Sequence, residues 1–161
     1  MPGFKPNRIR FRPSERSDAA YIGKWLAGTL RQSPEWERQF VKLLLEEWAQ
    51  TAKLLRDTSW MAMYGKQRLF FLEIAAEDQV FLTAPGGLLD NPVIALAAWR
   101  RAVLHLRNLG TLPGIRVTID RSREVECECL LELGFLELPP NGNPNQRVFA
   151  LSWPTSPRPP A

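Results

Sequence analysis

Residues 90–138 read DNPVIALAAWRRAVLHLRNLGTLPGIRVTIDRSREVECECLLELGFLEL and carry the strongest fold signal in this chain. Asp90, Asn91 and Pro92 predict the start of a long apolar helix, because capping residues followed by proline favour a helix N-terminus, and Gly110 predicts its end. Residues 115–119 then alternate as a strand, and a second helix follows, ended by Gly134 before another strand. This order predicts a strand–helix–strand unit on a sheet.

The chain before this segment begins with a short strand and two helices. Residues 8–12 read RIRFR, so Ile9 and Phe11 share one face of a strand and the three arginines share the other. Ser17 and Asp18 predict the N-cap of the first helix, and Ser33-Pro34 predicts the start of the second. The predicted helices cover residues 18–30, 34–56, 92–109 and 123–133.

Between and after the helices, the apolar period changes from helical to alternating, which is typical of strands. The predicted strands cover residues 8–12, 59–64, 67–74, 79–83, 115–119, 135–138 and 146–153. Together they predict an α/β protein with a central mixed sheet of about six to seven strands and helices on both faces. We expect a flexible N-terminus at residues 1–7, a single domain at residues 8–153 and a flexible proline-rich tail at residues 154–161.

The composition is that of an ordinary globular protein, with 45% hydrophobic and 24% charged residues among 161. No apolar run approaches the roughly 20 residues of a membrane-spanning helix, and the N-terminus lacks the apolar core of a secretory signal, so we expect a cytoplasmic protein. Cys127 and Cys129 are two residues apart on a predicted helix, which favours reduced thiols over a mutual disulfide. With His105 as the single histidine, no metal site is predicted.

The net charge of +4 favours an anionic ligand or partner, but it falls short of a dedicated nucleic-acid binder. Arg8, Arg10 and Arg12 could follow an RNA phosphate path, or they could form the solvent face of a near-edge strand. His105 has Arg101 at i−4, which predicts a position on the polar face of its helix. The acidic residues of helix 123–133 predict a solvated face, or a contact with a basic surface of a twin subunit.

The order of elements, together with the local sequence 115–135, resembles the GNAT acetyltransferase superfamily. Arg10 to Pro13 with Asp18 resemble that family's first strand and helix start. Arg116 to Asp120 resemble its fifth strand, and Leu131 to Phe135 resemble the close of its last helix. The resemblance covers most of residues 8–153.

The resemblance implies acetyl-CoA or another acyl-CoA as a substrate, held where the fourth and fifth strands part and with its pyrophosphate on amides at the third helix. The family's loop pattern, Gln/Arg-x-x-Gly-x-Gly/Ala, falls on Asp90, Val93 and Ala95, of which Ala95 alone agrees. Either the loop takes another path, using Gly86 and Gly87, or acyl-CoA is not bound in the usual manner. The alternative is that Asp90 or Asn91 simply caps the helix. The implied cofactor-binding residues are Thr83, Gly86, Gly87, Asn91 and Ala95.

The catalytic residues implied by the family are largely replaced in this chain. Leu130 stands where the family often has a tyrosine acid, and Arg123 stands where an asparagine is common. Glu73, near the end of a predicted strand, is the candidate general base, and its alternative is an ordinary solvent-facing acid.

The sequence therefore supports two main hypotheses. The first is an acyltransferase-like protein that transfers an acetyl or acyl group from acyl-CoA to a small-molecule or peptide amine. The second is a non-catalytic protein with the same scaffold, which binds a protein or small ligand. A homodimer is a possible assembly, and a nucleic-acid module is a distant third hypothesis resting on the arginine-rich first strand.

Overall fold

The computed structural model describes residues 3–154. The expected tail at residues 154–161 lies outside the described residues except for Pro154. The helices are α1 (Ala19–Leu30), α2 (Pro34–Thr58), α3 (Pro92–Asn108) and α4 (Glu124–Glu132). The strands are β1 (Ile9–Pro13), β2 (Ser59–Tyr64), β3 (Gln67–Ala75), β4 (Gln79–Thr83), β5 (Gly114–Asp120), β6 (Leu136–Glu137) and β7 (Gln146–Ser152). Three short 3-10 helices lie at Pro6–Arg8, Arg16–Asp18 and Leu88–Asp90.

The strands form one seven-stranded mixed sheet in the order β1-β2-β3-β4-β5-β7-β6. Every neighbouring pair is antiparallel except β4 and β5, which run parallel because α3 crosses between them. The predicted fold class, a mixed sheet of six to seven strands with helices on both faces, is confirmed. Residues 84–91, which include the third 3-10 helix, join the end of β4 to the start of α3.

The core is divided between the two faces of the sheet. The larger cluster packs α3 and α4 on one face, with Trp99, Phe70 and Phe149 fully buried there. The smaller cluster packs α1 and α2 on the other face around Met61 and Phe71. The alternation of each strand therefore points one set of side chains at each helix layer. No helix among residues 3–154 combines the length and apolar character needed to cross a membrane.

The segment before β1 makes specific contacts with the sheet. The ring of Phe4 stacks on Tyr64 with centroids 5.1 Å apart, and the amide of Lys5 donates to the Tyr64 hydroxyl at 3.0 Å. The part of the expected flexible N-terminus that the structure describes is therefore tied to the end of β2.

Asp18 has a different role from the N-cap that the sequence predicts. It is fully buried, accepts two hydrogen bonds from Arg12 at 2.8 Å and one from Arg68 at 2.8 Å, and also accepts from the Glu15 amide. Burial alone would raise the pKa of the Asp18 carboxyl, but the hydrogen bonds from Arg12 and Arg68 outweigh it and hold that pKa below its usual range. Arg12 is thus a partner of a buried carboxylate and not part of a free phosphate-binding face.

His105 was predicted on a polar helix face, and that prediction is wrong. Its ring stacks on Phe11 with centroids 4.4 Å apart and lies edge-on to Trp60 at 4.7 Å. Burial lowers the pKa of His105 because the charged imidazolium loses its hydration there. The neighbouring Arg101 donates to the Ile9 carbonyl, so this side of α3 faces β1 rather than solvent.

The sequence predicts a solvated acidic face on α4, but the acidic residues of this helix are not all solvated. Glu126 is 4% exposed, accepts from the indole of Trp99 at 3.0 Å and pairs with Arg123 through two hydrogen bonds. This pair fixes the start of α4 against α3 and leaves Glu126 unable to serve a second subunit.

Candidate functional site

The parallel strands β4 and β5 pair only at their beginnings. Gln79 is the one β4 residue in register with a β5 residue, Arg116, and the Arg116 amide donates to the Asp78 carbonyl at 2.9 Å. Within the described chain no ladder pairing continues along the rest of either strand. A notch therefore opens between β4 and β5 toward their carboxyl ends.

A side-chain hydrogen bond closes the narrow end of this notch. The amide nitrogen of Gln79 donates to the hydroxyl of Thr118 at 3.0 Å, and both side chains lie on the α1/α2 side of the sheet. Sequence reasoning missed both residues. Finding them would require aligning residues 79–83 with residues 115–120 as parallel strands. That alignment depends on the pairing register, which the strand bounds alone do not give.

The two sides of the notch differ in how far their side chains are buried. Val80, Leu82 and Val117 point to the α3/α4 layer and are buried in the main core. Phe81, which is 39% exposed, and the half-buried Thr83 point to the α1/α2 side. A ligand that lies in the notch on the α1/α2 side would therefore contact an apolar ring and a hydroxyl.

The loop from β4 to α3 turns at two glycines. Gly87 has φ 80°, which a residue with a side chain rarely adopts, and the Leu88 amide donates back to the Pro85 carbonyl at 3.2 Å. The Gly86 and Gly87 amides have no hydrogen-bond acceptor among the described residues, and both glycines are exposed. The space beside both glycines is open, since a Cβ built at either position would have no atom beyond its chain neighbours within 4 Å. An anion could therefore approach these two amides.

The first amides of α3 are already satisfied within the chain. The side-chain oxygen of Asn91 accepts from the Val93 amide at 3.0 Å and from the Ile94 amide at 3.2 Å. Pro92 has no N–H, and the Ala95 amide donates to the Asn91 carbonyl at 2.9 Å. The Asn91 interpretation as a helix cap is confirmed, and it leaves the start of α3 without a free amide for a phosphate group.

The predicted binding residues separate into two groups. Thr83, Gly86, Gly87 and Asn91 lie on one continuous segment around the open end of the notch. Ala95 lies one turn inside α3 with its side chain fully buried in the main core. Asp90 is the last residue of the third 3-10 helix and is exposed. Within residues 3–154 its side chain forms no hydrogen bond to a residue of the notch.

Glu73 lies on β3 beside the notch. It is in register with Phe81 of β4 and is half-buried beneath α2. Burial raises the pKa of the Glu73 carboxyl, and the negative charge of Glu47 raises it further. A carboxylate with a raised pKa holds a proton more tightly than an exposed one, which is the property a general base needs near neutral pH.

Leu130 and Arg123 occupy the positions where the resemblance points to a tyrosine acid and an asparagine. Both have structural roles here. Leu130 is fully buried in the core, and Arg123 pairs with Glu126. Neither side chain can supply a proton to a group in the notch. Cys127 and Cys129 are free and buried, and burial raises the pKa of Cys129 to about 11, so neither thiol is an activated nucleophile.

Comparisons with known proteins give a consistent result at the level of structure. No family model and no curated protein matches the sequence. Three solved structures with similar folds are the PaiA N-acetyltransferase from Thermoplasma acidophilum with coenzyme A, a spermidine N-acetyltransferase SpeG from Vibrio cholerae, and yncA from Salmonella typhimurium with acetyl-CoA. Their sequence identities are 13%, 12% and 12%, with TM-scores of 0.59, 0.68 and 0.65.

Each match extends over nearly all of both proteins. The aligned regions cover 90%, 91% and 96% of this chain, and 99%, 94% and 99% of the three structures. At such low identity the similarity concerns the course of the backbone and not the side chains of the site. This chain has the fold of the GNAT N-acetyltransferases.

Proposed function

We propose that this chain binds an acyl-CoA in the notch between β4 and β5 and transfers its acyl group to an amine. The observation that carries the proposal is the separation of β4 from β5 after the single Gln79–Arg116 pair. Beside that opening lie the unbonded amides of Gly86 and Gly87. Two of the similar structures contain coenzyme A or acetyl-CoA, which supports this choice of ligand.

The acyl-CoA would supply an activated thioester, and the residues of the notch would hold and orient it. Unpaired backbone groups along the open parts of β4 and β5 can hydrogen-bond an extended amide-containing chain as an added strand would. The Phe81 ring provides an apolar contact on the α1/α2 side, and Gln79 with Thr118 closes the inner end.

Glu73 would act as the general base in this proposal. Amine acceptors are protonated at neutral pH, so a base must remove a proton before the nitrogen can attack a carbonyl carbon. Glu73 neighbours Phe81 across the β3–β4 pair, and its raised pKa suits transfer directly or through one water. No acid stands at Leu130, but a thiol with an ordinary pKa of about 8.5 can leave as a thiolate.

A second candidate function is supported by Asn91. Because its side chain occupies the first amides of α3, the phosphate site that the resemblance implied at this helix does not fit the residues present. This supports a non-catalytic protein that keeps the scaffold and binds another ligand. The two candidates differ in whether acyl-CoA binds, which makes binding the first measurement.

Acyl-CoA binding can be tested by thermal melting of the intact chain with and without acetyl-CoA. A ligand at about 100 times its dissociation constant adds about 2.7 kcal/mol to the free energy of unfolding, a readily measured shift. Turnover is then measured by release of free CoA thiol with a panel of amines that includes a polyamine and a peptide N-terminus. Binding with turnover supports the acyltransferase, and binding without turnover supports the acyl-CoA site but argues against transfer to these amines. An unchanged melting temperature refutes the acyl-CoA proposal and favours the second candidate.

A further inference from the structure

A groove lies between the first turns of α1 and the turn that joins β2 to β3. Its volume is about 460 Å³, which is within the range of small-ligand sites. The residues that matter for its chemistry are Tyr21, Lys24, Trp25, Lys66, Arg68 and Pro85. The combination of three cations with two aromatic rings distinguishes it from an ordinary surface depression.

The positive charge of this groove is not compensated by nearby acids. Lys24 and Lys66 are exposed, and within the part of the chain that the structure describes neither forms an ion pair. Arg68 pairs with the buried Asp18, whose charge is also shared with Arg12. The groove therefore presents the charges of two free lysines to a ligand.

Two aromatic side chains form part of the groove wall. Tyr21 is 45% exposed, and the guanidinium of Arg68 stacks over its ring at 4.1 Å from the centroid. The Tyr21 and Trp25 rings meet edge to face with centroids 6.2 Å apart. Arg68 is held by Asp18 and covers one face of the Tyr21 ring, so a planar base could stack on the outer side of this guanidinium–ring pair.

The groove also adjoins the open end of the notch. Pro85 lines it, and Gly86 and Gly87 with their unbonded amides come next in the chain. The nearest other amides, at the start of α3, are occupied by Asn91. A phosphate near the β4–α3 loop therefore finds its positive partners on the α1 side and not at α3.

We propose that this groove, together with the Gly86–Gly87 turn that follows Pro85, binds the nucleoside diphosphate portion of a ligand. The phosphates lie at Lys24, Lys66 and the two glycine amides, and the base lies against the stacked Arg68 and Tyr21. The assignment to acyl-CoA rests on the proposed function, since the adenosine diphosphate portion of that molecule is the part concerned. The recognition of a nucleoside diphosphate itself depends only on the groove and the adjoining Gly86–Gly87 turn.

The test is calorimetric titration of the intact chain with ADP, adenosine, acetyl-CoA and S-acetylpantetheine, which lacks the nucleotide. The test variant is K24A/K66A, and K42A/K53A is the matched control because it removes two exposed lysines of α2. We expect the test variant to bind ADP and acetyl-CoA about tenfold or more weakly, while the control binds both as the unaltered chain does. S-acetylpantetheine should bind all three proteins equally, and raised salt should weaken ADP binding only where the lysines are present.

The outcomes separate the groove from the acyltransferase proposal. Loss of ADP binding in K24A/K66A alone supports the groove, even if acetyl-CoA fails to bind any of the proteins and the proposed function is thereby refuted. Equal acetyl-CoA binding by both variants overturns its assignment to this groove while the proposed function stands. Failure of ADP to bind the unaltered chain, or ADP binding no tighter than adenosine, overturns the proposed site itself.

Discussion

Replacing Asn91 tests whether the start of α3 is a closed helix cap or a phosphate site. In N91A the side-chain acceptor of the Val93 and Ile94 amides is lost, and the two N–H groups must turn to water. Loss of an asparagine N-cap to alanine lowers the free energy of unfolding by about 1 kcal/mol, and to glycine by a few tenths. For a chain of this size, 1 kcal/mol corresponds to a fall in melting temperature of roughly 2–4 °C.

The same variant makes a second prediction about ligand binding. Because the phosphates are assigned to the α1 side of the loop, we expect N91A to change the affinity for acetyl-CoA by less than about threefold. Melting curves and calorimetric titrations on N91A, N91G and N91S measure both quantities, since serine restores a capping oxygen. D90N is the control: Asp90 is exposed and forms no ion pair within residues 3–154, so its stability should change by less than about 0.5 kcal/mol.

Two results would refute this reasoning. If N91A is as stable as the unaltered chain, the two hydrogen bonds from Val93 and Ile94 do not form a working cap. If N91A loses or gains acetyl-CoA affinity by tenfold while D90N does not, the amides of α3 take part in binding and the assignment to Lys24 and Lys66 is wrong.

The remaining predictions concern buried ionisable groups. D18N should lower the free energy of unfolding by about 3 kcal/mol or more, because it leaves Arg12 and Arg68 without their shared carboxylate; a urea midpoint within error of the unaltered chain would contradict this. If turnover is observed, E73Q should lower kcat by about 100-fold or more, and E47Q should move the acidic limb of the rate profile to lower pH, because the charge of Glu47 raises the pKa of Glu73. An unmoved limb in E47Q would argue against Glu73 as the base. Because burial lowers the pKa of His105, the unfolded chain binds a proton at this residue more readily than the folded chain does. The contribution of His105 to the free energy of unfolding should therefore be fully present above about pH 6.5 and should decline as the pH falls through the folded pKa. The urea midpoint of H105F should decline less over that range, and an equal decline would exclude His105 as a cause of the pH dependence.

The sequence by itself determined the elements and their order. Asn91-Pro92 marked the start of α3 and Ser33-Pro34 that of α2, because capping and the missing proline N–H act within a few covalent neighbours. The alternation along residues 79–83 and 115–119 marked β4 and β5 for the same local reason. The resemblance to the GNAT superfamily rested on that order together with the local sequence of residues 115–135.

Only the tertiary structure decided how these elements meet. The notch depends on β4 and β5 pairing at Gln79 and parting afterward, and no local pattern encodes where a parallel pair stops. His105 shares helix spacing with polar neighbours, yet β1 lies against that side of α3, and so the ring is stacked on Phe11. The groove likewise joins Lys24 to Lys66 across 41 intervening residues. Spacing along the chain reports which side chains share a face, whereas contacts between faces are set by packing of the whole sheet.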